Sequence, residues 1–159
     1  MLQTNTACPK HPRARYFVTR QLFEDLDGFA DLEARISQLP VGDRGDAFEV
    51  FAEAYLATQK LVGAEEVWPA DQVPISVLQT CCLPIQDMGA DGVYKTWAGQ
   101  YNAYQSKFRT GRPALTWQEL STFMGLTDQV GEPPTVLAID LPDRSSGDQS
   151  IKRQFSFGR

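Results

Sequence analysis

Two stretches, Met88-Gly-Ala-Asp-Gly-Val-Tyr-Lys95 and Tyr101-Asn-Ala-Tyr-Gln-Ser-Lys-Phe-Arg109, decide how the rest of the chain is read. Val93 and Tyr94 in the first and Tyr101, Tyr104 and Phe108 in the second are residues that strands favour. Ala98-Gly99-Gln100 between them has turn chemistry. The pattern predicts a β-hairpin, Asp91–Trp97 paired with Tyr101–Arg109. Asp91 opens the first strand. Gln105 and Lys107 lie two apart on the second, so both project from one face. An acid on one strand and a polar-x-Lys triplet on its partner can converge on one point. The same Gly-Ala-Asp-Gly run is also a common turn, in which the aspartate bonds its own backbone.

Upstream of the hairpin the periodicity is helical. Phe17, Leu22, Phe23, Leu26, Phe29, Leu32 and Ile36 recur mostly at spacings of three and four, which predicts an amphipathic helix from Phe17 to Leu39, broken near Asp27-Gly28. Pro40-Val-Gly-Asp-Arg-Gly reads as a turn. Asp46 then reads as the cap of a second helix, Ala47 to about Val62, with Glu49 at its third position and Gly63 as its stop. Phe48, Phe51, Ala52, Tyr55 and Leu56 form its apolar face. Glu53, one turn beyond Glu49, reads as a solvated partner of Lys60 or of water. The proline-rich stretch from Val67-Trp-Pro to Leu83-Pro84 reads as a loop with one short helix, Val73 to Thr80. Downstream, Thr116 caps an expected helix from Trp117 to Met124. The apolar run Thr135-Val-Leu-Ala-Ile-Asp-Leu141 reads as a buried strand that joins the sheet in parallel after the helical crossover. The expected organisation is a polar arm over 1–15, one α/β domain over 16–141 and a disordered tail over 142–159.

Composition narrows the classes. The 159 residues, 42% of them apolar and 11% aromatic, suit one packed domain. No apolar run is long enough for a transmembrane helix. The opening Met1-Leu-Gln-Thr-Asn-Thr-Ala-Cys-Pro lacks the pattern of a signal peptide. Cys8, Cys81 and Cys82 are an odd set with two adjacent, unsuited to a disulfide framework or a zinc site, so a reducing, cytoplasmic setting is expected. His11, the lone histidine, reads as exposed and idle. The net charge of −5 disfavours nucleic acid taken alone. Its distribution says more. Eleven acids but only Arg35, Arg44 and Lys60 as bases lie between Glu24 and Glu66. Between Gly92 and Gln118 stand Lys95, Lys107, Arg109 and Arg112 with no acid. That strip is either phosphate-facing or ordinary surface charge.

In the order Glu49 helix, Gly-x-Asp91-Gly, hairpin, Gln105-x-Lys107-Phe-Arg109, the chain resembles the Mrr-like branch of PD-(D/E)xK nucleases, where glutamine replaces the more usual acid. The likeness runs from about Phe17 to Leu126 and includes Phe48-Glu-Val-Phe-Ala-Glu-Ala-Tyr55, Val67-Trp-Pro69, Tyr101 to Gly111 and Leu115-Thr-Trp-Gln-Glu-Leu120. It is similar to the nuclease module at the N-terminus of bacterial restriction and helicase proteins. The resemblance implies a restriction-endonuclease-like three-layer α/β core, a small mixed sheet with a central hairpin flanked by helices. It implies a metal-dependent DNA endonuclease using Mg²⁺, with Mn²⁺ as substitute. The metal ligands would be Asp91, Gln105, the Ser106 carbonyl and Glu49. Such oxygen donors suit a hard cation. Lys107 would complete the catalytic set by orienting water or stabilising the phosphate. Lys95, Arg109 and Arg112 would contact DNA.

Double-stranded DNA is the expected partner, with a helicase, translocase or methyltransferase subunit or a second copy of the chain beside it. The chain carries no Gly-x-x-x-x-Gly-Lys-Ser/Thr loop, so no motor is expected within it. Two other readings stay open: a DNA-binding or regulatory module of the same fold without activity, and a structural protein whose acid and lysine only stabilise the hairpin.

Overall fold

The computed structural model describes residues 9–85 and 89–109 and the backbone of a short strand at Leu137–Ala138. The chain is mixed α/β. Helices α1 (Ala14–Val18), α2 (Phe29–Ser37) and α3 (Val41–Thr58) precede strand β1 (Ala64–Pro69), helix α4 (Ile75–Thr80), strands β2 (Gly92–Thr96) and β3 (Tyr101–Gln105), and β4 (Leu137–Ala138). The sheet order is β1-β2-β3-β4. The first three strands are antiparallel neighbours, and β4 lies parallel to β3. The parallel sense of the final strand matches the expectation from the sequence. The expected helix Trp117–Met124, the rest of Thr135–Leu141, Arg112 and the tail 142–159 lie outside the described residues.

The hairpin forms where the strand pattern and turn placed it, but β2 begins one residue after Asp91 and β3 stops at Gln105. Lys107 therefore lies beyond the strand, and the expected sharing of one strand face with Gln105 does not hold. Val93 stands opposite Ala103 and Tyr94 opposite Asn102. Its turn closes through the Gly99 N–H on the Thr96 carbonyl at 2.8 Å, with Gly99 at φ +82°, a left-handed value that favours glycine. Helices cover both faces of the sheet. Trp68 and Val93 pack with Val77 and Leu78 of α4, whereas Val67, Tyr94 and Tyr104 pack with Leu56 of α3. The other side of α3 meets the first two helices. There Phe48 packs with Phe17, Leu32 and Ile36, and its ring lies 5.8 Å from that of Phe108 beyond β3. Burying Phe48 fully contributes about 2–3 kcal/mol of hydrophobic stabilisation. Phe51 and Tyr55 are only partly buried.

Five local expectations are corrected. The helix expected from Phe17 onward stops at Val18, because Gln21 and Asp25 take left-handed backbone angles, φ 57° and 48°, that a right-handed helix does not admit. The break at Gly28 does precede α2. Pro40-Val-Gly-Asp-Arg-Gly is no turn, because Pro40 caps α3 and the next five residues are its first turns. Asp46 therefore lies inside the helix and caps nothing. Arg13 Nη1 instead bridges Asp43 and Asp46, each at 2.8 Å, one helical turn apart. The helix ends at Thr58, short of Val62, and the Gly63 N–H returns to the Gln59 carbonyl. Finally, the stretch read as a loop opens with β1. Pro69 ends it at the margin of the sheet, where its missing N–H leaves no ladder bond unmade.

Candidate functional site

The end of the hairpin brings chemistry-bearing groups together. Asp91 immediately precedes β2, and its backbone is fixed on both sides. Its N–H donates to the Tyr104 carbonyl and its carbonyl accepts the Ala70 N–H, both at 2.9 Å. The Ser106 N–H and the Ser106 hydroxyl both donate to Asp91 Oδ2, the hydroxyl at 3.1 Å. Both bonds fall on one oxygen, so Oδ1 takes no part in them. Burial pushes the Asp91 carboxyl up to about 6, and the nearby Glu49 charge pushes the same way. The Ser106 bonds and the Lys107 ammonium oppose that rise without cancelling it.

Glu49 reaches this region from α3, and Glu53 follows one turn later on the same helix. Glu53 is not the solvated group its sequence position suggested. It is buried and accepts the backbone N–H groups of Lys10 at 2.6 Å and His11 at 3.0 Å. Burial raises its pKa above the ordinary value, and those two bonds hold the rise in check. The missed signal was spacing, since Glu49, Glu53 and Leu56 fall on one helical stripe and Leu56 is core.

His11 is likewise corrected. It is neither idle nor exposed. Its side chain is 11% exposed, and Nε2 lies 3.3 Å from Glu49 Oε2. The Glu49 partner raises the imidazole pKa, with Asp46 and Glu53 adding to it, while burial opposes. The Arg13 N–H, which donates to Nδ1 at 3.2 Å, also favours the neutral ring. The arm around His11 is tied down further, with Lys10 Nζ 2.7 Å from Glu66 and 5.1 Å from the Trp68 ring centre. Residues 9–13 are thus packed against α3 and β1 rather than loose, while residues 1–8 of the arm expected over 1–15 lie outside the described residues.

Tyr104, on β3, is buried beside the three carboxylates. Burial, then Glu53, Asp91 and Glu49, all raise its pKa above the ordinary value. Its ring lies over Gly92, its cross-strand partner.

The residues expected in the site are placed as follows. Ser106 is bonded to Asp91, and the charges of Glu49 and Lys107 act on the Asp91 carboxyl. Gln105 ends β3 half-buried and opposite Ala138. Its amide takes no part in the bonds that hold Asp91. Ser106 contributes its amide and hydroxyl to Asp91, a role its sequence position did not suggest. Lys95 is paired with Glu65 at 2.6 Å on the neighbouring strand. Arg109, partly exposed, follows Phe108 at the end of this stretch. His11, Asp46 and Glu49 have ligand-type atoms within 4.8 Å of one another. However, Asp46 is already bridged by Arg13, and the His11 ring is oriented by its own backbone neighbour.

No protein-family model, curated protein or solved structure matches the chain.

Proposed function

We propose that the chain is a metal-dependent DNA endonuclease module with a restriction-endonuclease-like core. One observation carries the reading: a buried carboxyl, Asp91, is held before β2 by both donors of Ser106, with the charges of Glu49 from α3 and of Lys107 acting on it. Two acids and a lysine converging at a strand end are the minimum equipment for phosphodiester hydrolysis. Among the described residues no helix is long and apolar enough to cross a membrane.

The donor set fits a hard divalent cation. Asp91 and Glu49 each have one oxygen engaged by a neighbour and a second outside that bond. Both are oxygen donors, which Mg²⁺ or Mn²⁺ accepts. Asp91 and Glu49 would hold the ion, with Gln105 and the Ser106 carbonyl completing the set. When bound, such an ion supplies charge neutralisation at the phosphate and acidifies a water. The protein's own groups do the remaining work. Ser106 fixes the Asp91 carboxylate. Lys107 offers a positive charge to the phosphate oxygens as negative charge builds on them. Arg109 and Arg112 follow Lys107 in the chain and would extend that charge along the DNA backbone.

Gel shifts in Ca²⁺ and plasmid nicking in Mg²⁺ separate these roles. Lys107→Ala is expected to stop nicking and to weaken binding modestly, lowering the slope of log affinity against log salt by about 1. Glu49→Gln is expected to nick slowly, with partial rescue by Mn²⁺. A Lys107→Ala protein that nicks at the wild-type rate would remove the lysine from the mechanism.

A further inference from the structure

We propose that His11 is a positioning residue that holds the Glu49 carboxylate in place for cleavage, an inference that rests on the nuclease reading above. The groups that deliver it lie on α3 and on the arm packed along it. Glu53, buried on α3, grips the chain at Lys10 and His11 through both backbone N–H groups. Arg13 anchors the far side of the same segment on Asp43 and Asp46. Between these clamps the imidazole is set against Glu49 at 3.3 Å.

The ring's hydrogen bonding assigns its role. Nδ1 accepts the Arg13 N–H at 3.2 Å, so a neutral ring carries its proton on Nε2, facing Glu49 Oε2. A histidine that ligates a metal presents one bare nitrogen to the ion and donates from the other. Here the second nitrogen is an acceptor, so the ring is wired as a donor to Glu49 and not as a ligand. Orienting donors of this kind fix a ligating carboxylate's rotamer, and their loss typically costs about 10–100-fold in metal affinity. Glu49 Oε1 stays outside the His11 contact and can serve the cation.

The test compares wild type, His11→Ala and His11→Gln in plasmid nicking titrated with Mn²⁺, and in direct Mn²⁺ binding followed by electron paramagnetic resonance. Expected for His11→Ala is a rise of about 10–100-fold in the Mn²⁺ concentration needed, in both assays, with nicking near wild type once Mn²⁺ saturates. His11→Gln, which keeps an N–H donor, should recover most of the loss. A His11→Ala protein with unchanged Mn²⁺ dependence, beside a wild type that nicks, overturns the role of His11 and leaves the nuclease reading standing. A wild type that binds no Mn²⁺ and nicks no plasmid overturns both. Nitrogen-15 spectra of the intact wild-type protein test the wiring without any variant. With the ring neutral, the proton should sit on Nε2, and a proton on Nδ1 overturns the proposal.

Discussion

Asp91→Asn is expected to stabilise the protein above neutral pH while abolishing DNA cleavage. Burial and the Glu49 charge raise the Asp91 carboxyl from its ordinary 3.8 to about 6. Between those two values the folded state binds more protons than the unfolded chain, so stability falls as pH rises through that window. Below the window the carboxyl is protonated in both states and costs nothing. Above it the ionised group carries its full penalty, roughly 3 kcal/mol at about 1.4 kcal/mol per pH unit. Asparagine keeps an oxygen for the two Ser106 donors and removes the charge. Unfolding free energies from urea titrations of the variant and wild type should therefore coincide near pH 3 and diverge by about 2–3 kcal/mol near pH 8, the variant being the more stable. A variant less stable than wild type at the higher pH would show that the Asp91 charge stabilises the fold. Pairing of that gain with lost nicking would mark Asp91 as a residue kept for function at a cost in stability.

Gly92→Ala is expected to be the most damaging small substitution in the hairpin. A methyl group there would meet the Trp68 carbonyl oxygen of β1 and stand 2.5 Å from two ring carbons of Tyr104. The first is backbone of a paired strand and cannot swing aside. The second is a buried ring with Val67, Tyr94 and Leu56 packed around it. Relief requires β1 to separate from β2 or Tyr104 to leave its place, and either shift moves Asp91, whose N–H is bonded to the Tyr104 carbonyl. The loss should be roughly 3 kcal/mol or more, at the upper end for an overpacked core. Thermal unfolding measures it. A midpoint equal to wild type would mean that the Tyr104 ring does not cover Gly92.

Much of the hairpin and its Asp91 was legible in the sequence because strand-favouring residues and turn chemistry are local, although the end of β3 before Lys107 was not. The break before Phe29 was legible for the same reason, since Gly28 advertises it. Other features depended on partners the local pattern does not carry. Asp46 looked like a cap because nothing nearby revealed that Arg13, 33 residues upstream, would bind it inside a helix begun at Pro40. Strand β1 was hidden by Pro69, which is disfavoured in a central strand but tolerated at a margin. His11 and Glu53 meet across 42 residues, and no spacing rule relates an N-terminal arm to a helix that far along the chain. Glu53 alone left a trace, as an acid on a stripe that continues into core at Leu56.

The central claim is that Asp91 and Glu49 equip this chain to cut DNA with a divalent cation, and nicking of supercoiled plasmid tests it most directly. Purified wild type should convert supercoiled to open-circle plasmid in Mg²⁺ or Mn²⁺ and stop on addition of chelator. Asp91→Ala, prepared in parallel, should leave the plasmid intact while still shifting it in Ca²⁺. Equal nicking by the two proteins, or no nicking by wild type with either metal, would contradict the account.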